Sequence, residues 1–174
     1  MTAIDSAALA ALSAADRETF VARLGAIFEH SPWIAAAAWS ARPFADLEAL
    51  HAAMVRAIEL APRAQQLALI RSHPELAGKE AAAGTLTSES TQEQASVGLD
   101  RCTAEELAQV RQLNQRYRER HGFPFVIAVR GLGKDKILAA LEARANKNTE
   151  IEVGEALQQI ARIGRLRLEA LLAK

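Results

Sequence analysis

Three short stretches in the middle third of the chain hold the residues that could do chemistry. They are SHPELAGK at 72–79, STQEQASVGLD at 90–100 and GFPFVIAVRG at 122–131. Together they supply a histidine able to transfer a proton, a group of polar side chains able to orient a ligand, and an apolar run that ends in an arginine. This combination predicts a pocket for a small molecule.

His73 is the main candidate for proton transfer. It precedes Pro74, and because proline is common in the first turn of a helix, the sequence predicts a helix start with His73 at or beside the N-cap. The positive end of the helix dipole would then disfavour the imidazolium and keep the ring near neutral. The alternative interpretation is a capping or surface histidine without a catalytic role.

A Ser-x-x-Glu-Gln cluster lies at the start of the second stretch. Ser90 and Glu93 have the spacing of a capping box, which would explain both residues structurally. The functional alternative is that Glu93 accepts hydrogen bonds from ring N–H groups while Gln94 offers an amide donor and acceptor, as a urea-like ligand requires.

The run FPFVIAV at 123–129 has the pattern of a short buried strand. The sequence offers it no partner strand, so its backbone N–H and C=O groups need other partners, because buried unpaired groups are costly. We therefore expect some of these groups, between Phe123 and Val129, to face a ligand. Arg130 ends the run and either forms a salt bridge or recognises an anionic or carbonyl-rich ligand.

Helical periodicity dominates the rest of the chain, which must position these stretches. Asp46 is a suitable N-cap, Thr103 and Glu106 have capping-box spacing, and Thr149 with Glu152 is predicted to cap the last helix. The apolar residues expected on the buried faces are Leu47, Leu50, Met54 and Ile58 in one helix, and Ile151, Leu157, Ile160, Ile163 or Leu166, and Leu171 in the last.

The sequence predicts an all-α fold. Ser13 is a suitable N-cap for a helix carrying Phe20 and Leu24, and residues 78–88 are expected to form a loop or a frayed helix. Strands and helices do not alternate, and about eight helices result. We expect a single domain over residues 1–174, a bundle of about eight helices with one extended segment lining the pocket.

Composition narrows the classes of partner and compartment. At 174 residues, with 50% hydrophobic and 24% charged residues, the chain suits one folded domain. Lys and Arg balance Asp and Glu at 21 each, which argues against a nucleic-acid or membrane partner. Cys102 is the single cysteine, the N-terminus lacks the features of a signal peptide, and a cytoplasmic protein is expected.

Cofactor signatures are also missing from the sequence. None of the four histidines, His30, His51, His73 and His121, makes an i, i+4 pair with another ligand-type residue, so no metal site is predicted. The Gly131 to Lys134 stretch lacks the spacing of a phosphate-binding loop.

Taken together, these stretches resemble the OHCU decarboxylase family, the 2-oxo-4-hydroxy-4-carboxy-5-ureidoimidazoline decarboxylases of urate degradation. The similarity runs from about residue 20 onward. It is carried by FEHSPWIAAAAW at 28–39, QLALIRSHPELAGK at 66–79, LTSESTQEQASVGLD at 86–100 and LNQRYRERHGFPFVIAVRG at 113–131. No single piece is decisive, but the ordered set is specific.

The resemblance implies a role for each matching residue. The proton-donor histidine of the family falls on His73, and Glu93 is the second catalytic candidate. The implied substrate-binding residues are Pro74, Ser90, Thr91, Gln92, Gln94, Phe125, Val126, Ile127, Ala128, Val129 and Arg130. The implied reaction is decarboxylation of a small ureidoimidazoline to (S)-allantoin without cofactor or metal, and the family includes homodimers. The alternative function is a non-catalytic helical module that binds a ureide or purine breakdown product.

Overall fold

The computed structural model describes residues 4–96, 98 and 102–173. Within these residues the chain forms ten α-helices and one 3-10 helix, and the only β-type pairing is an isolated bridge between Ile4 and Ala173. The predicted all-α class is confirmed, with ten α-helices in the described part where about eight were expected. Val97, Leu99 and Asp100, from the second chemical stretch, lie outside the described residues.

The helices pack into two compact units. The first contains residues 4–69 and 161–173 of the described chain, and the second is Ile70–Ile160. The α-helices are α1 Ser6–Ala14, α2 Arg17–Leu24, α3 Pro32–Ala38, α4 Leu47–Leu60, α5 Arg63–Arg71, α6 Lys79–Ala83, α7 Ser88–Ser96, α8 Ala104–His121, α9 Lys134–Arg144 and α10 Thr149–Leu171, and the 3-10 helix is Trp39–Ala41. None of the helices described combines the length and apolar character needed to cross a bilayer.

The first unit follows its sequence pattern closely in α4. The Asp46 carboxylate caps this helix by accepting a hydrogen bond from the Ala49 N–H at 2.8 Å. The residues predicted to face inward are all buried, namely Leu47, Leu50, Met54 and Ile58. Capping and periodicity agree here, and the helix has the predicted buried face.

The predicted cap at Ser13 is wrong. Ser13 lies inside α1, and its hydroxyl accepts a hydrogen bond from the Phe44 N–H at 3.0 Å, 31 residues along the chain. Asp5 caps α1 and Asp16 caps α2 through their carboxylates. A serine hydroxyl can serve either a local or a distant N–H, and spacing alone does not separate the two uses.

In the second unit, α8 carries the predicted capping box and a buried aromatic cluster. The Thr103 hydroxyl accepts from the Glu106 N–H at 3.2 Å, and the Glu106 carboxylate accepts from the Thr103 N–H at 2.8 Å. Near the helix end, Tyr117 is fully buried and meets the rings of Phe123 and Phe125 edge-on. This cluster joins α8 to the FPFVIAV segment.

The predicted buried face of α10 is partly wrong. Ile160 and Ile163 are buried as expected, but Ile151 is 64% exposed and Leu171 is 48% exposed. The fully buried residue beside Ile151 is Glu152, whose carboxylate is paired with Arg144. A paired carboxylate therefore occupies the inward position that the apolar pattern assigned to isoleucine. The cap also shifts by one residue, because the Asn148 side chain accepts from the Glu150 N–H at 2.8 Å.

Candidate active site

His73 is buried, with 7% of its surface exposed, in the loop that joins α5 to α6. The predicted helix start at Pro74 is wrong, because α5 ends at Arg71 and the next helix begins at Lys79. The His73 N–H donates to the Ile70 carbonyl at 3.2 Å, so the residue closes the end of α5. The proposed influence of a helix N-terminus on its ring therefore does not apply.

Long-range hydrogen bonds explain why residues 74–78 do not form a helix. The Gln94 side-chain oxygen accepts from the Ala77 N–H at 2.9 Å, and its amide nitrogen donates to the Glu75 carbonyl at 3.4 Å. The Asn114 amide nitrogen donates to the Leu76 carbonyl at 3.0 Å. Side chains from α7 and α8 thus satisfy the main-chain groups that a helix would have used.

Two local features complete this loop. Ala77 has a φ of 49°, which is unusual for a residue with a side chain. The Glu75 carboxylate forms an ion pair with Arg118 of α8. The loop that contains His73 is therefore held at three consecutive residues, and the histidine is attached to a defined support.

The Ser-x-x-Glu-Gln cluster lies within α7, and the predicted capping box at Ser90 is wrong. The helix begins at Ser88, and Thr87 precedes it, accepting hydrogen bonds from the Ser90 N–H at its hydroxyl and from the Thr91 N–H at its carbonyl. Ser90 and Gln94, one turn apart, are buried, and Glu93 is half-buried. The side chains of Thr91 and Gln92 are exposed.

Gln94 brings two of the predicted stretches together. It neighbours Glu93 in α7, and its side chain bonds to Ala77, four residues beyond His73. A second connection is made by Arg71, the residue before the first stretch, whose Nε donates to the Gly122 carbonyl at 3.1 Å at the start of GFPFVIAVRG. All three stretches thus belong to the second unit and are linked by side chains within it.

The FPFVIAV segment is irregular, with neither helix nor strand from Pro124 to Val129. Its side chains are mostly buried, and Ile127 and Pro124 are half-buried. The Val126 carbonyl accepts from Arg144 Nη1 at 2.9 Å, and the Ala128 N–H donates to Gln159 Oε1 at 3.0 Å. Protein side chains from α9 and α10 therefore hold two of the main-chain groups that lacked an evident partner.

Two further residues of the predicted site lie nearer to solvent. Arg130 is exposed in the turn that follows the segment, so solvent can hydrate its charge without a salt bridge. Pro74 is half-buried beside His73.

A buried polar network of Tyr117, Glu152 and Arg144 supports the FPFVIAV segment, because Arg144 also binds the Val126 carbonyl. The Glu152 carboxylate oxygen Oε1 accepts from the Tyr117 hydroxyl at 2.7 Å and from Arg144 Nε at 2.6 Å. The Arg144 guanidinium also lies 4.5 Å from the centre of the Phe125 ring. Burial, followed by the hydrogen bond to Glu152, raises the pKa of Tyr117 far above its ordinary value.

His121 belongs to the same support and not to the chemical stretches. Its Nδ1 lies 3.0 Å from the Thr149 hydroxyl and its Nε2 lies 3.3 Å from the Arg144 carbonyl. Burial lowers the pKa of its imidazole, which favours the neutral ring. Within the part of the chain described, no group of three His, Cys, Asp or Glu side chains is placed to hold a metal ion.

Sequence reasoning missed three residues that organise the site, Asn114, Arg144 and Gln159. Asn114 is 3% exposed on the face of α8 that also buries Val110 and Tyr117. A polar residue in an apolar stripe is a usable signal, since such a residue must have a buried partner. Arg144 and Gln159 carry no comparable signal, because both lie in helices rich in charged and amide residues.

Comparison with known proteins gives the family context. The OHCU decarboxylase family model matches residues 13–169. The chain is 42% identical over 153 residues to the 2-oxo-4-hydroxy-4-carboxy-5-ureidoimidazoline decarboxylase of Haloferax volcanii, covering 88% of this chain and 89% of that protein. It is 39% identical over 163 residues to the uric acid degradation bifunctional protein PucL of Bacillus subtilis, covering 94% of this chain and 32% of that protein.

A solved structure agrees with these sequence matches. The crystal structure of (S)-allantoin synthase superposes with a TM-score of 0.74 and 28% identity, over 94% of this chain and 54% of that one. The helical framework described above and the matches over nearly all of the sequence lead to one conclusion. The chain belongs to the OHCU decarboxylase family.

Proposed function

We propose that this protein decarboxylates 2-oxo-4-hydroxy-4-carboxy-5-ureidoimidazoline to (S)-allantoin and CO2, the last step from urate to allantoin. Family membership over residues 13–169 is the observation that carries the proposal. Relatives that match over most of this chain bear the name of that decarboxylase. The buried His73 loop, joined to the Ser-x-x-Glu-Gln helix through Gln94, supports it from the geometry.

The substrate itself explains why few protein groups are needed. The ring carbon that bears the carboxylate also bears a hydroxyl and lies next to a C=N bond. When CO2 leaves, its bonding electrons can move into that C=N bond, so the substrate carries its own electron sink. The protein must hold the ring, orient the carboxylate, move a proton from oxygen and deliver a proton to one ring face.

We assign the proton transfers to His73 and a supporting role to Glu93. His73 is buried, which shields a proton transfer from water. Glu93 would hold the substrate hydroxyl or ring N–H. The buried Ser90 hydroxyl and the main-chain groups of residues 125–129 would bind the ureido and oxo groups.

In this proposal Gln94 both holds the loop after His73 and binds the substrate. One lone pair of its oxygen and one of its N–H groups are directed to the loop after His73. An amide has a second N–H and a second lone pair, which remain for the substrate. Phe125 and Ile127 would add an apolar wall, which favours loss of a carboxylate because decarboxylation disperses its charge.

The experiment that tests the function begins from freshly made hydroxyisourate. Its hydrolase generates the substrate in the cuvette, and circular dichroism then follows the formation of optically active allantoin with and without this protein. The substrate also decays unaided, so the rate and the enantiomeric purity must both exceed those of the control. Saturable ureide binding without faster CO2 release would instead identify a binding module.

We propose that the enzyme is cytoplasmic, because a chain whose single cysteine is Cys102 suits a reducing compartment. We propose that it acts on a small molecule without a nucleic-acid partner, because positive and negative side chains balance at 21 each. We also propose that residues 1–174 unfold as a single domain and that the chain forms a homodimer. A single calorimetric transition and a dimeric mass in solution are the expected results.

A further inference from the structure

The FPFVIAV segment is attached at alternate residues to one support. The Val126 carbonyl accepts from Arg144 Nη1 at 2.9 Å, and two residues later the Ala128 N–H donates to Gln159 Oε1 at 3.0 Å. Neither of these hydrogen bonds uses the N–H or C=O of Ile127, the residue between the two that are attached.

The two attaching side chains are themselves fixed. Arg144 is held by Glu152 Oε1, which lies 2.6 Å from its Nε and 2.5 Å from its Nη2. Gln159 donates from its Nε2 to Glu155 Oε1 at 2.9 Å, one turn earlier in α10. Both connections therefore lead back to α10, where Glu152, Glu155 and Gln159 lie at helical i, i+3 and i+7 spacing.

We propose that Arg144 and Gln159 are positioning residues for the reaction, holding Val126 and Ala128 so that the N–H and C=O of Ile127 face the ureido group of the substrate. A ureido group offers an N–H donor and a C=O acceptor side by side, which the N–H and C=O of one residue can match. Ile127 is half-buried between buried neighbours, as a residue at the edge of a pocket would be. The proposal rests on the function proposed above.

Gln159→Leu tests the proposal with little risk to the fold, because the residue is half-buried in a helix and leucine is a good helix former. The variant loses the acceptor for Ala128 N–H. We expect KM to rise and kcat/KM to fall by about tenfold, the usual effect of one lost hydrogen bond. Gln158→Leu is the matched control, since Gln158 is the exposed neighbour in the same helix, and its kinetics should equal those of the wild type.

A double variant separates positioning from simple loss of a side chain. Glu155→Gln with Gln159→Glu exchanges donor and acceptor but keeps both hydrogen bonds, so kinetics and enantiomeric purity should return close to wild-type values. Arg144→Lys retains the charge beside Glu152 but cannot also reach the Val126 carbonyl as a planar fork does. It should raise KM while the helical circular dichroism stays unchanged.

The results distinguish this proposal from the function on which it rests. A wild-type protein that does not speed allantoin formation would refute the decarboxylase function itself. An active wild type with Gln159→Leu kinetics equal to those of Gln158→Leu would overturn the positioning role alone. A double variant as impaired as Gln159→Leu would also overturn it, because the acceptor at residue 159 should again hold the Ala128 N–H.

Discussion

The Gln94 side-chain oxygen accepts a hydrogen bond from the Ala77 main-chain N–H at 2.9 Å, and both groups are buried. This contact connects the helix that carries Glu93 to the loop that carries His73. Asn114 adds a second buried contact to the same loop, at the Leu76 carbonyl. The placement of the His73 loop beside the helix that carries Glu93 thus depends on the Gln94 and Asn114 side chains, which bind main-chain groups of that loop.

Gln94→Leu should affect stability and catalysis together. The buried Ala77 N–H would lose its acceptor, which costs about 1–3 kcal/mol of the free energy of unfolding. The loop after His73 would also lose its support, so kcat should fall. Urea unfolding and allantoin formation are the two measurements. Gln109→Leu on the exposed surface of α8 is the control, and equal stability of the two variants would refute the structural role of Gln94.

His73→Asn should keep the fold and remove catalysis. Loss of a proton-transfer group typically lowers the rate about 10²–10⁴-fold. The allantoin that still forms should be racemic, because it comes from unaided decay of the substrate. His30→Asn is a matched control, since His30 is exposed and asparagine tolerates its positive φ of 47°. Wild-type speed and enantiopurity in His73→Asn would exclude the assignment.

Tyr117 should remain protonated in the folded protein well above pH 10, the ordinary pKa of tyrosine. The pKa of the folded state is raised, so above this pH the unfolded chain releases a proton that the folded chain keeps. Tyr117 therefore leaves the free energy of unfolding unchanged below pH 10 and lowers it as pH rises beyond 10, by up to about 1.4 kcal/mol per pH unit.

The chain offers a clean measurement, because Tyr117 is its single tyrosine. Tyrosinate absorbance in an alkaline titration should appear only together with loss of helical circular dichroism. The urea-unfolded protein serves as the reference for an ordinary titration. A reversible tyrosinate signal near pH 10 with the helices intact would contradict the buried hydrogen bond to Glu152.

Two glycines of α10 should respond in opposite directions to alanine. A Cβ on Gly164 would come within 2.5 Å of the Phe28 ring, whereas a Cβ on Gly154 meets nothing within 4 Å. Gly164→Ala should cost about 1–3 kcal/mol through overpacking. Gly154→Ala should add about 0.5–1 kcal/mol, because alanine is the better helix former. Thermal unfolding of both variants measures this, and equal shifts would disprove the close approach at Phe28.

Local patterns predicted those parts of the fold that local chemistry determines. The Asp46 cap of α4 and the Thr103–Glu106 box of α8 were both confirmed, since each is formed by residues three positions apart. The predicted helix start at Pro74 was wrong because Gln94 and Asn114, which lie far along the chain, bind the Ala77 N–H and the Leu76 carbonyl. The buried face of α10 was misjudged because a carboxylate can be buried when it has a partner.

The candidate site likewise contains residues that the sequence predicted and residues that it did not. The sequence identified His73, Ser90 and Gln94, and the structure places all three in buried positions of the second unit. Their catalytic and binding roles stay predictions, and the His73→Asn and Gln94→Leu variants test two of them. The supports at Arg144 and Gln159 could not be predicted, because nothing in their own helices shows which distant main-chain groups they bind.

The supports on α10 also limit how this helix can change length in evolution. Glu152 and Gln159 are seven residues apart, close to two full turns, so they lie on the same side of α10, where Glu152 holds Arg144 and Gln159 binds Ala128. One residue inserted between them would turn Gln159 about 100° around the helix axis and leave the Ala128 amide without its acceptor. Homologues should therefore tolerate substitutions between these positions far more readily than insertions or deletions.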